Sequence, residues 1–256
     1  MARVFVTGSS DGIGARTAAD LIAAGHDVVL HGRTRQRADE ALAALPGAAG
    51  AVVGDLASFA STRTLAEQAN DLGPYDVVIH NAGIGGGIDS RTTSEDGVEL
   101  ILHVNALAPY LLTALMPLPA RLVYLTSGLE ADGVADLDDL QWERKAWHGM
   151  QAYSDSKLWD VVLAFAVARR HPEVLSNAVD PGWIRTKLGG PNATDDLPEG
   201  AATQVWLATS DDPAATVSGR YFKRQAVLAN NPAADDVAIQ DAFLAECARL
   251  TGVTLA

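Results

Sequence analysis

Three side chains in this chain have the types and spacing that proton transfer needs: Ser127, Tyr153 and Lys157. Tyr153-Ser154-Asp155-Ser156-Lys157 sets a phenol and an ammonium four residues apart, so on a helix both emerge on one face. With five tyrosines and four lysines among 256 residues, a chance pair at this spacing is rare. An ammonium beside a phenol favours the phenolate and lowers its pKa from the usual value of about 10. A phenol tuned in this way works as an acid or a base near neutral pH. Taken alone, the same pair also reads as an exposed amphipathic helix.

A second pattern points to a ligand. Thr7-Gly8-Ser9-Ser10-Asp11-Gly12-Ile13-Gly14 follows the first apolar run and opens a helical stretch. Glycines in that place allow a tight turn and a close approach of phosphates, which the free N–H groups of a helix N-terminus attract. Roughly twenty residues further on, where a dinucleotide site reads the ribose 2′ position, stand Arg33, Arg35 and Arg37 and no acid. Cations at a helix start oppose the helix dipole, so an anionic guest is expected. This favours NADP over NAD, with Arg33 as the contact to the 2′-phosphate. Asp55-Leu56 and Asn81-Ala82-Gly83 follow the third and fourth apolar runs. Singly these are turn chemistry, but they fall where a parallel sheet places its ligand.

These residues need elements to position them. Short apolar runs at 3–7, 27–31, 50–54, 76–80, 121–127 and 175–180 read as strands covered on both faces. Amphipathic stretches at 13–24, 35–45, 62–72, 95–116 and 152–171 read as the helices between them, with a further helix at 235–250. Strand and helix alternating in this order predict an α/β fold: a doubly wound parallel sheet with helices on both faces. No repeat or linker divides the chain, so residues 1–256 are expected to form one domain. Two stretches, 128–151 and 186–199, break the rhythm and are expected to be functional loops.

The composition excludes several classes. Hydrophobic residues make up 48% of the chain, which is globular rather than disordered or fibrous. A formal charge of −13 repels nucleic-acid backbones and acidic membrane surfaces. No apolar run approaches the roughly 18 residues of a spanning helix, and no leader pattern opens the sequence. A single cysteine, Cys247, leaves no internal disulfide and no cysteine metal cluster. The histidines lack metal-site spacing, so no metal is expected. A cytoplasmic protein is the resulting expectation.

Taken together, Thr-Gly-x-x-x-Gly-x-Gly, Asn-Ala-Gly, a serine closing the fifth strand and Tyr-x-x-x-Lys resemble the short-chain dehydrogenase/reductase family over essentially the whole chain. The resemblance implies a Rossmann-type sheet of about seven strands and hydride transfer between a nicotinamide and a carbonyl or secondary alcohol. It implies that Tyr153 is the acid/base, that Ser127 holds the substrate oxygen and that Lys157 binds the nicotinamide ribose. Asn105, in His103-Val104-Asn105-Ala106, matches the asparagine that keeps a water in the proton relay. In Asp180-Pro181-Gly182-Trp183-Ile184-Arg185-Thr186, residues Pro181, Gly182, Ile184 and Thr186 match the stretch that meets the nicotinamide. Gly8, Ser10, Asp11, Gly12, Ile13, Arg33, Asp55, Leu56, Asn81, Ala82 and Gly83 match the remaining cofactor contacts. Gly219-Arg220-Tyr221-Phe222 resembles the last strand.

The stretch from Ser127 to Tyr153 is about twice as long as in most members. Its Asp138-Asp139-Leu140 and Trp142-Glu143 resemble the retinol-dehydrogenase-like branch and bacterial carbonyl reductases. Asp11 replaces the basic residue that some NADP-dependent members carry, so the NADP preference rests on the arginines near Arg33. Aromatic and apolar residues on the two loops either plug the edge of the core or line a pocket over the nicotinamide. The pocket candidates are Trp147, Met150, Trp183 and Leu188, with Trp142 and Trp159 beside them. A hydrophobic ketone or aldehyde is the substrate this implies, and homodimers or homotetramers are common in such relatives. The competing readings are an NAD-dependent alcohol dehydrogenase working oxidatively, a non-catalytic nucleotide sensor on the same fold, and a sugar-nucleotide epimerase. The sensor has no use for Ser127, Asn105, Tyr153 and Lys157. The epimerase carries a different glycine spacing and a larger C-terminal region.

Overall fold

Strands that alternate with helices pair in parallel and must bury both faces. In the computed structural model, which describes residues 1–255, this produces one eight-stranded sheet. Its strands are β1 (Arg3–Val6), β2 (Asp27–Gly32), β3 (Gly50–Val53), β4 (Val77–His80), β5 (Arg121–Leu125), β6 (Leu175–Val179), β7 (Tyr221–Lys223) and β8 (Ala226–Val227). The order is β3-β2-β1-β4-β5-β6-β7-β8. Seven strands run parallel, and the short β8 folds back antiparallel on β7 at the edge.

Period-two alternation divides the apolar side chains between two cores. Val4, Val6, Val28, Leu30 and Ile79 face one layer, packed against α1 (Gly12–Ala23), α2 (Arg35–Ala44) and α7 (Leu197–Thr209). Phe5, Val29, Val78 and Tyr124 face the other. That layer holds α3 (Phe59–Leu72), α5 (Ala108–Leu115), α6 (Gly149–Arg170) and α8 (Val237–Thr251). In it Trp159 of α6 stacks on Phe243 of α8 at 4.4 Å between ring centroids.

The winding reverses between β1 and β4, the place where a doubly wound sheet opens a crevice at its carboxyl edge. Asn81, just past β4, holds the two strand ends together. Its side-chain N–H donates to the Thr7 carbonyl at 2.9 Å, and its backbone N–H to the Thr7 hydroxyl at 3.0 Å.

Three expectations change. The helix expected over 95–116 begins only at α4 (Leu100–Leu102), where the Glu99 carboxylate accepts from the N–H groups of Ile101 and Leu102. It then widens into a π-helical turn, His103–Leu107, with the Ala108 N–H reaching back five residues to the His103 carbonyl. Pro109 follows and has no N–H to continue the tighter ladder. The stretch 186–199 runs into α7, which the sequence reading did not place. Asp196 and Glu199 form a capping box there, a signal the surrounding Gly, Pro and Asn residues obscured. Finally, Trp159 sits in the core at 2% exposure rather than at a pocket.

Because Trp159 fills the space between α6 and α8, truncation opens a large cavity. Trp159→Ala is expected to lower unfolding free energy by about 3–5 kcal/mol in urea titration; a loss under about 1 kcal/mol contradicts this packing.

Candidate active site

A cavity of about 910 Å³ opens at the carboxyl edge of the sheet. One end is walled by the glycine turn, where Gly8, Asp11, Gly12 and Ile13 lead into α1. Gly8 has φ +63°, and a side chain there would meet the Ala82 backbone at 2.9 Å. The turn is held from beneath by a residue the sequence reading passed over. The Gly8 N–H donates to the buried His31 ring at 2.9 Å, the other ring nitrogen lies 2.8 Å from the Gly54 carbonyl, and the His31 N–H donates to the Ser9 hydroxyl. Burial lowers the His31 pKa, which keeps the ring neutral and able to accept from Gly8.

The other end carries Ser127, Tyr153 and Lys157. Ser127, just past β5, begins a 3-10 turn (Gly128–Asp132) and accepts from the Leu129 N–H at 3.3 Å. Tyr153 and Lys157 stand one turn apart on α6, and both line the cavity with Ser127. The Lys157 ammonium lies 5.8 Å from the Tyr153 ring centroid. It donates to the Leu125 carbonyl at 3.0 Å and to the Asp160 carboxylate at 2.8 Å. Burial alone pushes this ammonium toward neutrality, but the charges of Asp160 and Tyr153 overcome it and raise its pKa above the usual lysine value. Burial also raises Asp160 to about 6, against the pull of Lys157.

Asn105, on the π-helical turn, is a clamp. Its side-chain oxygen accepts from the Ile84 N–H at 2.8 Å, and its amide donates to the Ile84 carbonyl at 3.0 Å and the Ser156 hydroxyl at 2.9 Å. This fastens the segment after β4 to α6. A side chain on Gly83 would stand 3.3 Å from the Asn105 oxygen and 3.5 Å from the Lys157 nitrogen. Glycine at that position therefore keeps the approach to Lys157 open.

Seventeen of the residues singled out in the sequence meet on this one surface, including Asn81, Ala82, Gly83, Pro181, Gly182, Ile184 and Thr186. Of the pocket candidates, Met150, Trp183 and Leu188 line it with large exposed apolar surface. Six others lie outside its lining: Ser10, Arg33, Asp55, Leu56, Asn105 and Trp147. Trp147 packs edge-on against Trp142 at 5.7 Å, and its indole N–H donates to the Ile88 carbonyl at 2.9 Å. Both tryptophans plug the edge of the core in a cluster with Ile101 and Tyr153, rather than facing the cavity. Arg33 is exposed past β2 and has no hydrogen bond or ion pair among the described residues. Arg37, by contrast, pairs with Glu40 and Asp11. Asp11 also binds Lys187, whose ammonium holds its carboxyl below the usual range.

The reading also missed the run Gly85-Gly86-Gly87, which lines the cavity directly after Asn81-Ala82-Gly83. Three glycines in succession were the available signal. Asp180 and Lys223, paired at 2.7 Å on neighbouring strand ends, line it as well. Among the described residues no three His, Cys, Asp or Glu side chains come together as a metal site, and no helix is long and apolar enough to cross a membrane.

The cavity's surfaces fit a nicotinamide dinucleotide. The glycine turn and the N-terminus of α1 face it, Gly83 leaves room beside Lys157, and Arg33, just past β2, is exposed and uncommitted among the described residues.

Removing the ammonium leaves Asp160 buried with nothing to offset its charge, which raises its pKa further. The penalty is absent while the carboxyl is protonated and grows as pH rises past its unfolded value of about 3.9. Lys157→Met is expected to lose about 3–5 kcal/mol of stability at pH 8 and clearly less at pH 5. A loss of equal size at both pH values contradicts the pairing.

The geometry agrees with the relatives. The family model for short chain dehydrogenase matches residues 2–121. The chain is 42% identical over 257 residues to the uncharacterized oxidoreductase AN7799 of Emericella nidulans, covering 99% of this chain and 98% of that one. It is 32% identical over 282 residues to retinol dehydrogenase 13 of Homo sapiens, covering 98% and 84%. The crystal structure of a blue fluorescent protein from a metagenomic library, in complex with NADPH, superposes with a TM-score of 0.70 at 25% identity, covering 86% and 95%. The chain belongs to the short-chain dehydrogenase family and is an NAD(P)-dependent oxidoreductase acting on CH–OH or C=O groups.

Proposed function

We propose that the protein is an NADP-dependent carbonyl reductase whose substrate is a bulky hydrophobic ketone or aldehyde. The observation that carries this reading is the meeting of Ser127, Tyr153 and Lys157 in one cavity with the glycine turn of α1. Residues 1–256 are read as a single catalytic domain working in the cytoplasm.

A nicotinamide held along the glycine turn and Lys157 would supply a hydride for the carbonyl carbon. The Tyr153 hydroxyl gives its proton to the carbonyl oxygen, and the Ser127 hydroxyl donates a hydrogen bond to the same oxygen. Lys157 places its positive charge beside the phenolate that remains, and the proton is then restored from water. Asn105 holds the Ile84 backbone and α6 at fixed separation, which sets where Lys157 and Tyr153 stand.

NADP is favoured over NAD because Arg33 is exposed and, among the described residues, unpaired just past β2, where an acid would accept from a ribose hydroxyl. The NADPH complex of the metagenomic neighbour supports the same cofactor. A hydrophobic substrate is favoured by Met150, Trp183 and Leu188, 45%, 53% and 54% exposed around the cavity. Apolar surface of that size at a pocket marks a binding site.

Two results test this reading. Tyr153→Phe is expected to cut ketone reduction by about 10²–10⁴-fold while NADPH affinity, measured by fluorescence titration, stays within a few-fold. Retained turnover overturns the role of Tyr153. Arg33→Ala is expected to weaken NADPH binding by about 10–100-fold, the worth of one charged hydrogen bond, and to leave NADH binding nearly unchanged. Wild-type protein that binds NADH more tightly than NADPH overturns the cofactor assignment.

A further inference from the structure

The mechanism above takes the positive charge of Lys157 for granted, yet this lysine stands inside the protein. Its side chain is 6% exposed, and that of Asp160 is 3%. A buried amine sheds its proton unless something compensates the charge. The Leu125 carbonyl, 3.0 Å away, offers a dipole only. Among the described residues, the one full negative charge within hydrogen-bond distance is the Asp160 carboxylate, at 2.8 Å. The two residues are three apart on α6, so the helix brings them to one face.

We infer that Asp160 is a positioning residue which keeps Lys157 protonated and aims its remaining N–H into the cavity. An ammonium has three N–H groups in a fixed tetrahedral arrangement. With one on Leu125 and one on Asp160, the third faces the cavity that Lys157 lines. Asp160 thereby determines whether Lys157 acts on Tyr153 as a cation or as a neutral amine.

The surroundings leave this role to Asp160. From β5, Tyr124 faces it, and burial, together with Asp160, raises the Tyr124 pKa so that this phenol stays neutral. Tyr124 is in turn bonded to Thr113 and stacked on His80. Burial holds His80 down at about 3, so it carries no charge either. Elsewhere on the elements against α6, His103 of the π-helical turn bonds Ser94. Glu130 and Asp235 are engaged by Asn231 and Asn230. On α8, Asp241 and Glu246 pair with arginines, and Cys247 stays a thiol. Strand β6 contributes no titratable group. Burial raises Asp160 itself to about 6, so the carboxylate–ammonium pair is complete in the neutral and alkaline range where the phenol works.

The inference rests on the active-site reading for its kinetic consequence, but its physical content does not. Protein labelled with ¹³C in the lysine side chain reports the charge of each lysine through its Cε shift, and Lys157→Met identifies the resonance of Lys157. In the wild type, Lys157 is expected to remain charged beyond pH 10 and to sense the titration of Asp160 near pH 6. In Asp160→Asn its own titration is expected to fall by about two pH units or more. Asp160→Glu, which keeps the charge, is expected to behave like the wild type. With acetophenone as probe, the alkaline limit of NADPH-dependent reduction is expected to move up by about one pH unit in Asp160→Asn. Tyr153 then stands beside a neutral amine instead of a cation. A Lys157 that keeps its charge in Asp160→Asn overturns the inference, as does a limit that stays put or moves down. Should Asp160→Asn fail to fold, a wild-type Lys157 that titrates below pH 10 overturns it equally. Turnover retained in Tyr153→Phe counts against the catalytic assignment and leaves the lysine titration to stand or fall alone.

Discussion

The site is organised around an ammonium ion that must sit inside the protein and stay charged. Lys157 is almost wholly withdrawn from water, and the fold supplies its partners from two directions. The carboxyl end of β5 gives the Leu125 carbonyl, and α6 gives Asp160. Each partner ties the site to a larger element. The Thr126 hydroxyl donates to the Lys157 carbonyl at 2.6 Å, pinning the end of β5 against α6. Asn105 ties α6, through Ser156, to the backbone after β4. Gly83 on that backbone has no side chain to intrude on the lysine. The ends of β4 and β5 and the face of α6 thus meet around one cation, and Tyr153 is carried into place by the same helix.

The glycine-turn end follows a different constraint. The connections leaving β1 and β4 pass to opposite faces of the sheet there, and the glycine turn must pass close to Ala82 without a side chain. His31 and Ser9 support that turn with hydrogen bonds from beneath it. A neutral ring is essential, since a protonated one has no lone pair for the Gly8 N–H. The turn over the crevice and β2 are therefore one hydrogen-bonded unit. Changes at His31 should be felt in cofactor binding before they are felt in chemistry.

Much of this was legible in the residues. The apolar runs marked every parallel strand but β7, which was placed only by the resemblance of Gly219-Arg220-Tyr221-Phe222. The motif residues Gly8, Asn81, Ser127, Tyr153 and Lys157 fall on a single cavity, because parallel strands all end at one edge. What the sequence concealed was set by tertiary packing. Trp142, Trp147 and Trp159 had the type expected of a pocket, yet large aromatics fill core gaps equally well, and only the packing separates the two. The start of the helix near residue 100 is set by the Glu99 cap, and Pro109 follows its π-helical turn; neither shows in apolar spacing. Asp160 drew no notice because one acid in an apolar run reads as a helix exposed to solvent on one side. Its meaning appears only when Lys157 is found buried beside it.

The central claim is that this cavity brings a nicotinamide and a carbonyl together for direct hydride transfer. It is tested most directly by following the hydride itself. Reduction of acetophenone with NADPH carrying two deuterium atoms on C4 of the nicotinamide should yield 1-phenylethanol with one deuterium on its carbinol carbon, read by mass spectrometry. Alcohol formed without deuterium on that carbon would contradict the account.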